Sequence, residues 1–152
     1  MKRIKIYSEL VYVLAQFGLT LAVAIMAAAD FGVSMIVAPA YIMSLKFDIF
    51  TFGQWDYILQ GILFIGFCIT IKKVKPLYFI SFATCFIYGT VLDLWRALIP
   101  VLNPVITPPG SMDMPVRIMF FILSMLLTAF AVALFFRTYI YPQVCDFFVV
   151  GI

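Results

Sequence analysis

Four stretches of this 152-residue chain run for about twenty residues with almost no charge, and they limit what it can fold into more than any other feature. Leu10 to Ala29 lies between Glu9 and Asp30. Phe52 to Ile71 carries only Asp56 and ends at Lys72, Lys73 and Lys75. Pro76 opens a third run that reaches Leu92 before Asp93, and Ile118 to Phe136 is framed by Arg117 and Arg137. About 20 apolar residues in a helix cover the roughly 30 Å of a bilayer's hydrocarbon. With 66% hydrophobic and 11% charged residues, the chain has too little polar surface to hide these runs inside a water-soluble core. The expected fold is all-α: a polytopic transmembrane helix bundle forming a single domain over residues 1–152, with spans near 10–29, 52–71, 76–95 and 117–137.

Phe31 to Leu45 is also free of charge, but it is short for a span and contains Gly32 and Pro39. A broken or re-entrant segment is expected around residues 31–50, because non-helical backbone survives at membrane depth only against protein or water. Transporters use such discontinuities as gates or binding backbone, and Gly32 and Pro39 are the candidates for that role. The basic residues orient the bundle. With four spans and an inside N-terminus, Lys2, Arg3, Lys5, Lys72, Lys73, Lys75 and Arg137 fall on the cytoplasmic side, against Lys46, Arg96 and Arg117 outside. Trp55 and Trp95 then lie at outer helix ends, where indole rings favour the headgroup boundary. Ala27-Ala28-Ala29 resembles a signal-cleavage site, yet the apolar run exceeds a signal-peptide core, so an uncleaved first helix is expected. Pro100 to Pro115, rich in Pro and Gly, is expected to be an external loop.

The residue inventory removes several chemistries. There is no histidine, which excludes HExxH zinc sites, Ser-His-Asp triads and imidazole proton shuttles. Cys68, Cys85 and Cys145 are far apart with no CxxC spacing, and are expected to be buried packing residues. No enzyme activity, metal, cofactor or nucleic-acid partner is expected; the basic residues serve as topology signals.

Charged groups at membrane depth must reach water, pair or serve a pathway. Asp30, Asp56, Asp93 and Arg96 all fall toward the outer side, where they could converge on a shared substrate site or stand as separate interfacial residues. Asp93 and Arg96, three apart, can pair on one helix face, and Asp56 can complement the dipole at the start of its helix. Gln60, one turn deeper than Asp56, can fix a substrate polar group or bond a neighbouring helix. Gly18, Ala22, Ala24, Ala28 and Gly32 give small-residue steps four apart, which mark a close-packing face for another helix or a second copy. LTLAVAIMAAAD from Leu19 and LLTAFAVALFFR from Leu126 are loosely alike, as an internal repeat would be.

ADFGVSMIVAPAY (Ala29 to Tyr41), TFGQWDYILQG (Thr51 to Gly61), YGTVLDLW (Tyr88 to Trp95) and FRTYIYPQ (Phe136 to Gln143) together resemble the YczE/YitT-like bacterial integral membrane proteins. The resemblance implies a multi-pass protein of the bacterial cytoplasmic membrane and a transporter of an unspecified small molecule. Members of that family continue with further helices after the position of Pro142, which implies a homodimer or additional helices completing the fold. No catalytic residues come with it. Two functions are expected to compete: a permease with Asp30, Asp56, Gln60, Asp93 and Arg96 around an outward vestibule, or a scaffold that docks a partner through its small-residue face.

Overall fold

The computed structural model describes residues 8–47, 49–71, 77–108 and 110–137; side chains at 8, 67–71 and 77–82 fall outside that description. The described residues form five α-helices and no strand: α1 (Ser8–Ala29), α2 (Ala38–Lys46), α3 (Phe52–Ile71), α4 (Leu77–Leu98) and α5 (Met114–Phe135), with a single 3₁₀ turn at Pro100–Leu102. The four long helices alternate in direction, and α2 is a nine-residue helix between α1 and α3. At 1.5 Å per residue a 22-residue helix extends about 33 Å.

By length and composition two of these helices are able to cross a membrane, α1 over Glu9–Ala29 and α5 over Met114–Phe135, where the sequence led to an expectation of four. That count covers the described residues, and the side chains at 67–71 of α3 and 77–82 of α4 fall outside them.

Small residues bring the helices together. α1 packs most extensively on α5. A methyl placed on Gly18 would touch the Ala131 Cβ at 3.7 Å, while Ala15, Ala22 and Ala29 of α1 and Ser124 of α5 are fully buried. Of the small-residue face expected from the sequence, Gly18 meets α5 of the same chain, Ala24 and Ala28 pack with the core residues of α2, α3 and α4, and Gly32 is exposed. Between α1 and α4 the contact includes hydrogen bonds: the Tyr12 hydroxyl donates to Thr84 Oγ1 at 2.8 Å, and the Gln16 amide donates to the Thr84 carbonyl at 3.4 Å.

α3 and α4 cross through glycines. A Cβ on Gly53 would overlap the Gly89 carbonyl, and one on Gly89 would meet the Gly53 carbonyl at 2.6 Å. Only residues without a side chain permit this approach.

The core is concentrated at one end of the bundle. Val23, Ala24 and Ala27 of α1 meet Val37, Ala40 and Tyr41, with Phe52 of α3, Tyr88 and Leu92 of α4, and Leu102 from the 3₁₀ turn. The Pro100–Pro115 stretch contributes Leu102 to this core, a role beyond that of the external loop expected for it. The break expected around residues 31–50 is present. The chain leaves α1 with Asp30 at φ +54° and Gly32 at φ +115°, a left-handed turn that glycine adopts without strain, and re-enters helix with Pro39 in the first turn of α2. The Tyr41 hydroxyl then donates to the Ala27 carbonyl at 3.1 Å, which ties α2 to the last turn of α1. Burial raises the Tyr41 phenol above its usual pKa, with Asp30 adding to the effect and Arg96 opposing it, so it stays a donor.

The basic N-terminal cluster, the Lys72-Lys73-Lys75 loop, Pro76, Cys145 and the stretch from Thr138 through Pro142 lie outside the described residues, as do the side chains of Cys68 and Ser81.

Candidate functional site

Asp30, Asp56, Asp93 and Arg96 sit at the same end of the bundle, where α1 and α4 finish and α3 and α5 begin. They form three separate arrangements rather than one cluster.

The first is built around Asp93. Thr51 and Gln54 form a reciprocal cap at the start of α3: the Gln54 N–H donates to Thr51 Oγ1 at 3.3 Å, and the Thr51 N–H donates to Gln54 Oε1 at 3.0 Å. Asp93 of α4 completes it across the helix pair. Its Oδ1 accepts the Gly53 N–H at 2.9 Å, and its Oδ2 accepts the Thr51 hydroxyl. The carboxylate that complements the α3 dipole is therefore Asp93 from the neighbouring helix, not Asp56. The Gly53–Gly89 approach brings the two helices close enough for this. Asp93 and Arg96 make no ion pair with each other. The Arg96 guanidinium lies instead over the Phe52 ring, 5.1 Å from its centroid, and its Nε is buried without a hydrogen-bond partner.

The second lies deeper, between α3 and α4. Asp56, only 2% exposed, does not stand in the first turn of α3; its Oδ2 accepts the Gln60 amide at 2.6 Å, and Gln60 Oε1 accepts the Cys85 thiol at 2.7 Å. Of the two roles open to Gln60, the observed contacts are those with Asp56 and the neighbouring helix. Cys85 is fully buried, as expected, and also donates a hydrogen bond. Gln60→Leu would remove the amide that hydrogen-bonds the buried Asp56 carboxyl, and is expected to lower stability by about 1–3 kcal/mol. The shift of the unfolding midpoint in detergent titrations checks this.

The third holds Asp30. Arg117, at the start of α5, donates from Nε to the Ala29 carbonyl at 2.9 Å and from Nη2 to the Asp30 carbonyl at 2.9 Å and the Asp30 carboxylate at 3.3 Å. Its guanidinium also sits 4.8 Å from the Phe31 ring centroid. A cation here satisfies the carbonyls that the end of α1 leaves without intrahelical partners.

A cleft of about 430 Å³ opens beside the first arrangement, between α2, the start of α3, the end of α4 and the loop after it. Ser44, Thr51, Asp93, Arg96 and Asn103 supply its polar lining, while Leu45, Phe50, Phe52, Ala97, Pro104 and Val105 supply its apolar walls. Of the residues singled out in the sequence, Asp93 and Arg96 line it. Asp30, Asp56, Gln60, Gly32 and Pro39 do not. Among the described residues no group of His, Cys, Asp or Glu is arranged to hold a metal ion.

Sequence reasoning passed over Thr51, Gly53, Gly89, Asn103 and the clamping role of Arg117. For Thr51 a signal existed: Thr51-Phe52-Gly53-Gln54 has the spacing of a capping box. The glycines and Asn103 carry no such local mark, since their roles depend on which helices meet.

The sequence profile of DUF6198, described as a family of unknown function, matches residues 6–152. No curated protein and no solved structure matches the chain.

Proposed function

We propose that this chain, which belongs to the DUF6198 family, is a multi-pass membrane protein that admits a small molecule through the cleft at its outer end. The observation that carries this reading is the cleft itself: a cavity of about 430 Å³ with apolar walls and a few convergent polar groups, the usual composition of a small-molecule site.

The membrane reading rests on where apolar surface is placed. Ile118, Met119, Ile122, Leu123, Met125, Leu126 and Phe130 of α5 are each 47–66% exposed, a continuous apolar face that water would penalise and lipid would not. In this reading α1, α3, α4 and α5 all span, because the polar residues of α3 and α4 gather at one end and face each other. The N-terminus and the Lys72–Lys75 loop are cytoplasmic, and the cleft faces outward. The short α2, which follows the break, contributes Ser44 and Leu45 to one wall, so movement of α2 would widen or close the entrance. The resemblance to YczE/YitT-like proteins points the same way, and transport in the bacterial cytoplasmic membrane remains part of the proposal.

Proteoliposomes carrying the purified chain test it. A panel of small carboxylates, amines and amino acids is expected to include at least one solute that enters faster than into protein-free vesicles. Ala97→Trp, which fills the cleft, is expected to abolish that excess. Folded protein with no flux for any member of the panel would favour the scaffold reading instead.

A further inference from the structure

The cleft contains one carboxylate and one guanidinium, and the two are not equivalent. Both Asp93 oxygens are engaged, one by the Gly53 N–H and one by the Thr51 hydroxyl, so its charge is directed at the start of α3. Arg96 is different. Among the described residues it has neither an ion pair nor a hydrogen bond, its Nε is buried without a partner, and its guanidinium lies over the face of Phe52. A desolvated guanidinium with unsatisfied donors is among the strongest recognition groups for a carboxylate or phosphate, which it binds through parallel N–H···O bonds.

We propose that Arg96 is the anchor for the oxyanion of an amphipathic organic anion, whose apolar body packs against Leu45, Phe50, Phe52 and Val105. This rests on the small-molecule reading of the cleft and gives it a substrate class. Asp93 holds α3 in place and does not recognise a cationic group. The Asn103 amide, whose Oδ1 already accepts the Val105 N–H at 3.0 Å, stands on the same lining and introduces no competing charge. The oxyanion arrives on a free solute or on a lipid headgroup; the chemistry at Arg96 is shared.

The molecule carries its own reporter, because Trp55, one of its two tryptophans, stands beside the cleft with its ring centroid 5.4 Å from that of the lining residue Phe50. The test uses the chain in phosphatidylcholine nanodiscs, titrated with cyclohexanecarboxylate and, separately, cyclohexylammonium, with tryptophan emission as readout. The carboxylate is expected to give a saturable change and the ammonium none. Arg96→Gln is expected to weaken carboxylate binding about tenfold or more, the worth of one charge-assisted hydrogen bond. Arg96→Lys keeps the charge but not the fork, and falls between. Asn103→Asp leaves Arg96 and the acceptor for Val105 in place while adding a negative charge, and is expected to weaken binding even if the Arg96 variants fold poorly. Repeating the titration in phosphatidylglycerol nanodiscs separates the sources: an unchanged response supports a free solute, and a lost response supports an anionic headgroup already in place. Equal binding of the ammonium, absence of any response in phosphatidylcholine, or carboxylate binding indifferent to Asn103→Asp would overturn the assignment. Carboxylate binding without flux in proteoliposomes would fail the transport reading and leave this one standing, and flux unaffected by Arg96→Gln would do the reverse.

Discussion

Gly53→Ala is expected to be the most damaging small substitution in the chain, lowering stability by about 3 kcal/mol or more. The added methyl would overlap the Gly89 carbonyl and stand 2.7 Å from Asp93 Oδ2. Overpacking against flexible side chains costs about 1–3 kcal/mol. Here the obstacle is backbone on a packed helix, which has no rotamer by which to move aside. Separating α3 from α4 would also draw Asp93 away from Gly53 N–H and the Thr51 hydroxyl, so a steric change becomes an electrostatic one. Gly89→Ala meets the Gly53 carbonyl and the Tyr57 ring at 3.1 Å, and should act in the same direction. Because either methyl alone forces the helices apart, the double variant is expected to lose less than the sum of the two, the mark of residues that share one contact. Gly66→Ala is the control: nothing lies within 4 Å of its added methyl, so it should be tolerated. Unfolding midpoints of the three single variants and the double variant in detergent titrations check the order.

The second large effect concerns the joint between α1 and α5. Arg117→Ala removes two charge-assisted bonds to the terminal carbonyls of α1, one of them on fully buried Ala29, together with the contact on Phe31. A loss of about 2–4 kcal/mol is expected from leaving those carbonyls unpaired. The ion pair itself contributes little, because the Asp30 side chain is 38% exposed. Asp30→Asn is therefore expected to change stability by less than about 1 kcal/mol, helped by the tolerance of Asn for the left-handed backbone at that position. Arg117→Lys should recover only part of the loss, since an ammonium cannot serve two carbonyls and a carboxylate from one rigid plane. Had the salt bridge been the essential element, Asp30→Asn and Arg117→Ala would fall together.

Much of the architecture was legible because charge ends an apolar run abruptly. The expected stretch 52–71 coincides with α3, and 10–29 differs from α1 by two residues at its start. The helix ends were misplaced where a polar residue was read as a terminator. α4 continues to Leu98, past Asp93 and Arg96, because Asp93 turns toward α3 and Arg96 toward Phe52 within the helix. α5 begins at Met114, ahead of the expected 117, because Pro115 belongs to its first turn, where a missing N–H costs nothing. The site was legible only as an inventory. Asp30, Asp56, Asp93 and Arg96 do share one end, but spacing along a chain says nothing of which helix a carboxylate will turn to. Asp93 chose Thr51 and Gly53 of the neighbouring helix over Arg96 one turn away, and that choice left the arginine without a partner in the cleft. The Gly53–Gly89 crossing that enables it depends on contact between residues far apart in sequence, and an isolated glycine in either helix gives no sign of it.

The claim on which the rest depends is that the bundle crosses a bilayer with its cleft facing outward. Val105, 87% exposed on the cleft wall, and Val74, within the Lys72–Lys75 loop, are the positions to probe. Each is replaced by cysteine and exposed to a membrane-impermeant maleimide on intact bacterial cells, scored above the labelling of the unsubstituted chain. Val105→Cys is expected to be labelled on intact cells and Val74→Cys only after the membrane is opened. Labelling of Val74→Cys alone, of both, or of neither on intact cells would contradict that claim.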